Sequence, residues 1–326
     1  MICWRTKLFP LPNLTIFAIL LSILVVAAVG LNFVVVIIIL RMKKRELCSY
    51  ILLSLSISDL LIGMVLGPIT IAQILDYKLL LNCTAHFIRS YILVLLVGSS
   101  LLTLAAVSYD RYLLLTKLSN YNQYMTKKKV ILLIGFAWFF PGLIPLTKIF
   151  NMTLYVVLRI ANCTLPLITL GAFYYLITQE VRKREIHTSQ NRINSCALDN
   201  DIFTVNKHTA NIGRSTDLSV KYYSHDKLRK HKRVAKSVTL LIACYLAFIF
   251  PLNIWMILEL INIEYSPKAH EVFYMCVVFF MHANSCINPI IYYAKQSEIK
   301  KGFKQIFKLS IPVYNNPKKI GINSNV

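Results

Sequence analysis

Three sets of residues in this chain could do chemistry because of their positions within long apolar runs. Asp59 stands in the middle of one, within Leu55-Ser-Ile-Ser-Asp59-Leu-Leu. A carboxylate at mid-membrane depth is costly and marks a functional site until shown otherwise. Asp110-Arg111-Tyr112 closes another run, so a guanidinium sits where it needs a partner, and the adjacent Asp110 supplies one. Near the other end, Asn284-Ser285-Cys286-Ile287-Asn288-Pro289-Ile290-Ile291-Tyr292 places two amides and a hydroxyl beside a proline. Proline removes one helix hydrogen bond and loosens the turn around it, giving the helix a place to rearrange. These are groups for binding and switching. No nucleophile, base and metal ligands gather at a common depth, so the chain is not expected to be an enzyme.

The elements that position these groups follow from composition. The chain has 326 residues, 56% hydrophobic and only 15% charged, with mean hydropathy +0.59. That is too little polar surface for a soluble domain of this size. Seven apolar runs approach or exceed the length needed to cross a bilayer as helices. They are Leu14–Leu40, Cys48–Leu75, Ser90–Tyr109, Val130–Thr147, Ile160–Gln179, Ser237–Leu258 and Val272–Ala294. The fourth is the shortest and recruits Lys129 or Lys148 by snorkelling, and the fifth is expected to begin upstream of Arg159. Shorter alternating segments, as in a β-barrel, are not seen. Leu14–Leu40 is too long for a signal-peptide core. The expected fold is therefore all-α, a seven-transmembrane helix bundle. Its parts are a short outer N-terminus (1–13), the membrane domain (14–294) with a long cytosolic loop at about 181–230, and a cytosolic helix and tail (295–326).

The net charge of +22 raises the question of nucleic acid, and its distribution answers it. Arg41, Lys43, Lys44, Arg45, Lys117, Lys127–Lys129, the region Arg182–Lys236, and Lys295, Lys300, Lys301 and Lys304 fall on one side of seven spans. Arg5, Lys7, Lys78, Arg89, Lys148, Arg159 and Lys268 fall on the other. The positive-inside rule puts the richer side in the cytosol and the N-terminus outside. The basic excess then faces anionic membrane lipid and cytosolic partners, with no nucleic acid needed to explain it. Gln296–Phe307 is basic and amphipathic, as an interfacial helix on the cytosolic leaflet would be.

Taken together, the motifs closely resemble those of rhodopsin-like (class A) G-protein-coupled receptors. Asp110-Arg111-Tyr112 matches the Asp-Arg-Tyr element at the end of the third span, and Asn288-Pro289-Ile-Ile-Tyr292 the Asn-Pro-x-x-Tyr switch of the seventh. Trp138 in the fourth span, Pro166 with Tyr174 eight residues later in the fifth, and Pro251 in the sixth extend the likeness across the whole membrane core. The resemblance is closest to the melanocortin, cannabinoid, adenosine and amine group and assigns no subfamily. It implies a plasma-membrane receptor that passes an extracellular ligand's signal to a heterotrimeric G protein. Arg111 and Tyr292, with Asp110, Tyr112, Tyr174, Asn288 and Pro289, would form the coupling switch. It also implies a sodium ion at Asp59 with Ser100, Asn284, Ser285 and Asn288, near Asn32. The alternative there is a neutral, hydrogen-bonded aspartate that ties helices together. No other cofactor is expected. By motif offset the ligand pocket is lined by Leu93, Val97, Asn162, Asn253, Met256, Val278 and His282, a mostly apolar set that fits a lipid or small neutral molecule slightly better than a charged one.

The departures from that pattern matter as much. Ile249 replaces the usual tryptophan two residues before Pro251, and His231 replaces the acid that often pairs with the third-span arginine, so raised basal activity is expected. Leu93 stands where amine receptors carry an aspartate, and Met256 where adenosine receptors carry their pocket asparagine. His282 takes the place of the opsin lysine. Cys83 lies near the top of the third span, where the class forms a disulfide to the second outer loop. If Pro166 is aligned as above, Cys163 falls inside the fifth helix and that loop shrinks to a few residues around Lys148–Thr153. A rival alignment makes Cys163 the partner, and Cys3 and Cys276 are further candidates, so the partner of Cys83 stays open. Sequons occur at Asn13, Asn82, Asn151 and Asn162, with Asn162 expected inside a helix. A receptor-like protein that no longer signals, or a seven-helix transporter, is the competing reading, and a transporter gives no reason for either switch motif.

Overall fold

The computed structural model describes residues 13–43, 45–76, 79, 82–117, 120–203, 247, 250–258, 260–261 and 266–307. Among these there is no β-strand. In chain order the helices are α1 (Asn13–Arg41), α2 (Leu47–Leu75), α3 (Cys83–Thr116) and the single turn α4 (Tyr121–Tyr124). They continue with α5 (Lys127–Phe150), α6 (Met152–Phe203), α7 (250–258), α8 (Pro267–Lys295) and α9 (Ser297–Ile306). Six of them are long and apolar enough to cross a membrane. α7 falls within the sixth expected run, whose remaining residues, apart from Ala247, lie outside the described residues, as do His231 and Ile249.

Local chemistry sets the ends. The Asn82 side chain accepts from Ala85 N (3.1 Å) and starts α3. Thr126 accepts from Lys129 N (3.4 Å) ahead of α5, and Ser266, followed by Pro267, accepts from Ala269 N (3.3 Å) ahead of α8. Asn151 alone separates α5 from α6, and its side chain accepts from Leu154 N (3.0 Å). The connection between α5 and α6 is therefore one residue long, and Cys163 lies inside α6, buried. Inside α2, a π turn at Ile62–Leu66 precedes Pro68, whose ring would crowd a regular helix at the preceding turn.

Two expectations need correction. The third span is longer than Ser90–Tyr109, because its capped start and polar ends carry the helix into both interfaces. The stretch from 181 onward is not a loop at its start, since α6 continues through Phe203. Glu180 and Arg184 pair one turn apart (2.7 Å), and Arg184 Nη2 donates to the carbonyl of Leu115 (2.5 Å) at the end of α3. Long straight-chain residues favour helix here, and the tie to α3 fixes its direction.

α3 is central, packing on α2, α5 and α6, while α1 packs on α2 and α8, and α9 on α1 and α8. Ile131, Leu132 and Phe139 of α5 and Ile23 and Val26 of α1 point outward, exposed, as lipid-facing side chains do. In lipid there is no hydrophobic drive between helices, so close approach and polar ties must hold them. Gly63 and Gly67 provide the approach, since a Cβ at either would collide with Val29 or Val25 of α1. Trp138 Nε1 donates to Ser54 Oγ (2.9 Å), joining α5 to α2. Asn32 Nδ2 donates to the Ser285 carbonyl (2.9 Å), joining α1 to α8.

Gly67→Leu should therefore cost about 1–3 kcal/mol of stability by overpacking, seen as a lower melting temperature of the detergent-solubilised chain. Gly135→Ala is the matched control, because nothing lies within 4 Å of a Cβ there, and it should lose nothing. Equal tolerance of both substitutions would refute the close α1–α2 approach.

Candidate functional site

The deepest part of the site is built on Asp59, which is fully buried in α2. Its Oδ1 accepts from Ser100 Oγ of α3 (3.0 Å) and Ser285 Oγ of α8 (3.0 Å). Its Oδ2 accepts from Asn288 Nδ2 (2.7 Å). Three helices thus meet on one carboxylate. Asn284 is buried one residue before Ser285 but makes no hydrogen bond to Asp59. Asn32 adjoins the cluster through the Ser285 carbonyl, and its own Oδ1 is buried with no partner. One carboxylate with two hydroxyl oxygens at 3.0 Å is a donor set that suits a hard cation. Among the described residues, no three His, Cys, Asp or Glu side chains gather as a transition-metal site would.

At the C-terminal end of α3, Asp110 is buried and Arg111 is partly so. Arg111 Nε lies 3.9 Å from Asp110 Oδ2, a loose ion pair, while its Nη2 donates to Cys48 Sγ of α2 (2.8 Å). Asp110 Oδ1 accepts from the Tyr121 hydroxyl (2.5 Å) in α4. Burial, and then the Asp110 bond, push the Tyr121 phenol well above its ordinary range, so it stays protonated and donating as pH rises through physiological values. Tyr112 and Tyr109 pack on Phe173 of α6 (ring centroids 5.8 and 5.6 Å). Tyr292 is buried with its hydroxyl unpaired, beyond the Pro289 turn. Tyr174 is partly exposed on α6 and is not brought to Arg111 or Tyr292.

Leu93, Val97, Met256, Met281 and Trp255 all belong to the large apolar core that runs through the bundle. Val278 packs with Leu21 and Val25 of α1 and with Tyr274, which in turn lies against Trp255 (6.1 Å). Asn162 lies against Gly98 and Pro141, where a Cβ on Gly98 would collide with both. Its burial inside α6 excludes it as a glycosylation acceptor. Asn253 is buried with its Oδ1 unpaired. His282 Nδ1 donates to the Val278 carbonyl (2.8 Å), which fixes the tautomer, since a carbonyl only accepts. In the neutral ring, Nε2 is then a buried acceptor with no donor.

Cys83 is disulfide-bonded, while Cys163 and Cys276 carry thiols. Neither is its partner, which lies outside the described residues. Sequence reasoning missed Cys48 and Tyr121 as partners of Arg111 and Asp110, and also Trp255, which stacks on Phe273 (5.4 Å). Cys48 and Tyr121 lie in α2 and α4, and no local motif announces either.

The sequence pattern described as "7 transmembrane receptor (rhodopsin family)" matches residues 31–163 and 144–292. The chain is similar to the adenosine receptor A3 of Bos taurus, 24% identical over 305 residues, covering 87% of each chain. It is also similar to the alpha-1A adrenergic receptor of Oryctolagus cuniculus, 24% identical over 92% of this chain and 67% of that receptor. The octopamine receptor beta-1R of Drosophila melanogaster is 20% identical over 90% of this chain and 61% of that receptor.

Ser100→Ala and Ser285→Ala each leave the Asp59 carboxylate one donor short in a buried place. Each should cost about 1–3 kcal/mol, and the double variant should cost more than either alone. Thermal denaturation in detergent measures this, and an unchanged midpoint in all three variants would dissolve the three-helix junction.

Proposed function

The chain belongs to the rhodopsin family of seven-transmembrane receptors, and from that premise we propose how this member works. It is a G-protein-coupled receptor, a multi-pass membrane protein and not an enzyme. Its place is the plasma membrane, with the N-terminus outside and the tail in the cytosol, following the charge asymmetry of its connections. The ligand is a lipid or small molecule with a largely apolar body, held among Leu93, Val97, Met256 and Trp255, with Asn253 and His282 as polar contacts. Leu93 and Met256 offer neither the carboxylate for an ammonium nor the amide for a nucleoside, so the adrenergic, octopamine and adenosine names of its relatives are not carried over.

The observation that carries the mechanism is the position of Arg111. Its guanidinium is turned to Cys48 and only loosely paired with Asp110, which the Tyr121 hydroxyl holds from the other side. Ligand binding shifts the population toward a state in which the sixth helix moves outward and Arg111 is released to the G protein. Tyr292, buried with an unpaired hydroxyl beyond Pro289, gains a partner by swinging inward. Asp59, Ser100, Ser285 and Asn288 would hold sodium, with Asn284 behind them. When bound there, sodium would supply the counter-charge for the carboxylate.

Ligand-free nucleotide exchange on G proteins by membranes carrying the chain tests the switch. Arg111→Ala should abolish it, and Tyr121→Phe, which frees Asp110 to pair with Arg111, should lower it several-fold. Exchange that ignores both substitutions would mean that this end of α3 is not the coupling surface, and absence of exchange in every form would point to a relative that no longer signals. Replacing sodium with choline should raise basal exchange in the unsubstituted chain. Asp59→Asn should remove that dependence, and a sodium effect surviving the substitution would rule out Asp59 as the ion's ligand.

A further inference from the structure

The outer end of the bundle holds a cation that the mechanism above does not use. Arg89 lies in the second turn of α3, 22 residues before Arg111, which separates them by about 33 Å along the helix and puts Arg89 at the outer boundary of the membrane. It is nine-tenths buried. Its Nε has no hydrogen-bond partner, and among the described residues no carboxylate forms an ion pair with it. Its guanidinium instead lies over the ring of Tyr274 on α8, 5.7 Å from the centroid. A buried charge without a counter-charge is costly, and removing one partner of a buried pair typically leaves this arrangement. Among the described residues, Arg89 therefore lacks the anion that its burial calls for.

The neighbours share that need. Tyr274 is partly buried, with its hydroxyl unpaired, and it packs against Trp255 (6.1 Å). Gln73 is buried with both amide atoms unpaired, between Ile71 and Ile74, which pack with Tyr274. His282, further down α8, has an unpaired Nε2 and feels the Arg89 charge. On the other flank Lys148 lies over the rings of Phe87 and Tyr155 (5.9 and 5.6 Å), and Arg159 over Tyr155 (5.5 Å). Arg89, Lys148 and Arg159 act together on His86, so three of the few outer cations converge from α3, α5 and α6. A planar guanidinium, weakly hydrated and flanked by aromatic faces, suits bidentate recognition of a carboxylate or phosphate.

We infer that the receptor's ligand is an organic anion whose carboxylate or phosphate pairs with Arg89, while its apolar body extends toward Trp255 and Met256. This rests on the receptor reading and revises the neutral ligand expected from motif offsets alone. Tyr274 and Gln73 supply neutral hydrogen bonds to the same headgroup, and Lys148 and Arg159 steer anions to the mouth.

The test uses the full chain purified in detergent, with no G protein present, so that binding is read apart from coupling. Basal nucleotide exchange by the same preparation reports on the receptor reading separately. The probes are oleate and 1-oleoylglycerol phosphate as lipid anions, 3-phenylpropanoate and phenyl phosphate as water-soluble anions, and methyl oleate and 3-phenylpropanol as neutral matches. At least one anion should raise the melting temperature while its neutral match does not. Stabilisation confined to the oleoyl anions assigns a membrane lipid, and stabilisation confined to the phenyl anions assigns a soluble acid. Arg89→Gln should weaken that anion by about 30-fold or more, with Arg89→Lys retaining part of the affinity. Arg89→Leu, which removes the uncompensated charge, should raise the ligand-free melting temperature by a few degrees. The inference is overturned if neutral matches bind as well as the acids, if no anion stabilises the chain, if Arg89→Gln leaves affinity unchanged, or if Arg89→Leu lowers the ligand-free midpoint.

Discussion

A carboxylate buried at the centre of a helix bundle in lipid has to be satisfied by protein, and that demand at Asp59 governs the arrangement around it. Water cannot do the work, and between helices in lipid the hydrophobic effect contributes little. The hydroxyls of Ser100 and Ser285 and the amide of Asn288 therefore fix the depth and rotation of α3 and α8 relative to α2. Asn32 then binds α1 to α8 at the Ser285 carbonyl, one residue from Asn284. A rotation of any of these helices by one residue would leave a charge or an amide unpaired in hydrocarbon. Small residues complete the junction one turn further out, where Gly63 and Gly67 let α2 meet Val25 and Val29 of α1. The π turn between Asp59 and Pro68 lets one helix present the carboxylate inward and the glycines toward α1.

The same logic, with weaker partners, runs at the cytosolic end. Asp110 Oδ1 is taken by Tyr121 and Oδ2 lies only loosely beside Arg111, so the guanidinium has a loose carboxylate and a thiol as neighbours. A thiol is a poor acceptor beside a carboxylate, and the guanidinium is consequently easy to release. Where a receptor of this class uses an acid on the sixth helix to restrain the arginine, this chain has His231, and the restraint shifts to the second cytosolic connection and the start of α2. Tyr292 lies on the line from Asp59 through Asn288 and Pro289 to this region, so the junction and the switch share one helix.

Most of this architecture was legible in the sequence because membrane helices announce themselves by composition, and because the switch motifs are local. Asp110-Arg111-Tyr112 and Asn288-Pro289-x-x-Tyr292 lie on single helices, with fixed offsets between the residues that matter. Asp59 was legible for a different reason, as a lone charge in an apolar run has few innocent explanations. What stayed hidden was pairing between helices. Nothing in Tyr121 or Cys48 announces an interaction with Asp110 or Arg111, since rotation and depth decide such contacts. How far α6 extends is hidden for the same reason, since the salt bridge and carbonyl contact that support its polar, charged end are not local motifs.

The short outer connection explains why unsatisfied groups collect where they do. In a bundle with a long second outer loop, that loop can cover the helix ends and supply their polar partners. Here Asn151 is the whole connection, and its side chain is already used to cap α6. The ends of α3, α5 and α6 must then form the outer wall themselves, which brings Lys148 and Arg159 together over the ring of Tyr155. Tyr155 is anchored in turn by the 2.7 Å hydrogen bond it shares with Ser90, the residue after Arg89. The contact that fixes the aromatic platform therefore also fixes the backbone of Arg89, whose side chain is carried across to Tyr274 of α8. A chain that kept cations on this wall only for solubility would leave them in water. Here Arg89 is buried, and among the described residues no carboxylate pairs with it, an arrangement that an anion arriving from outside would complete.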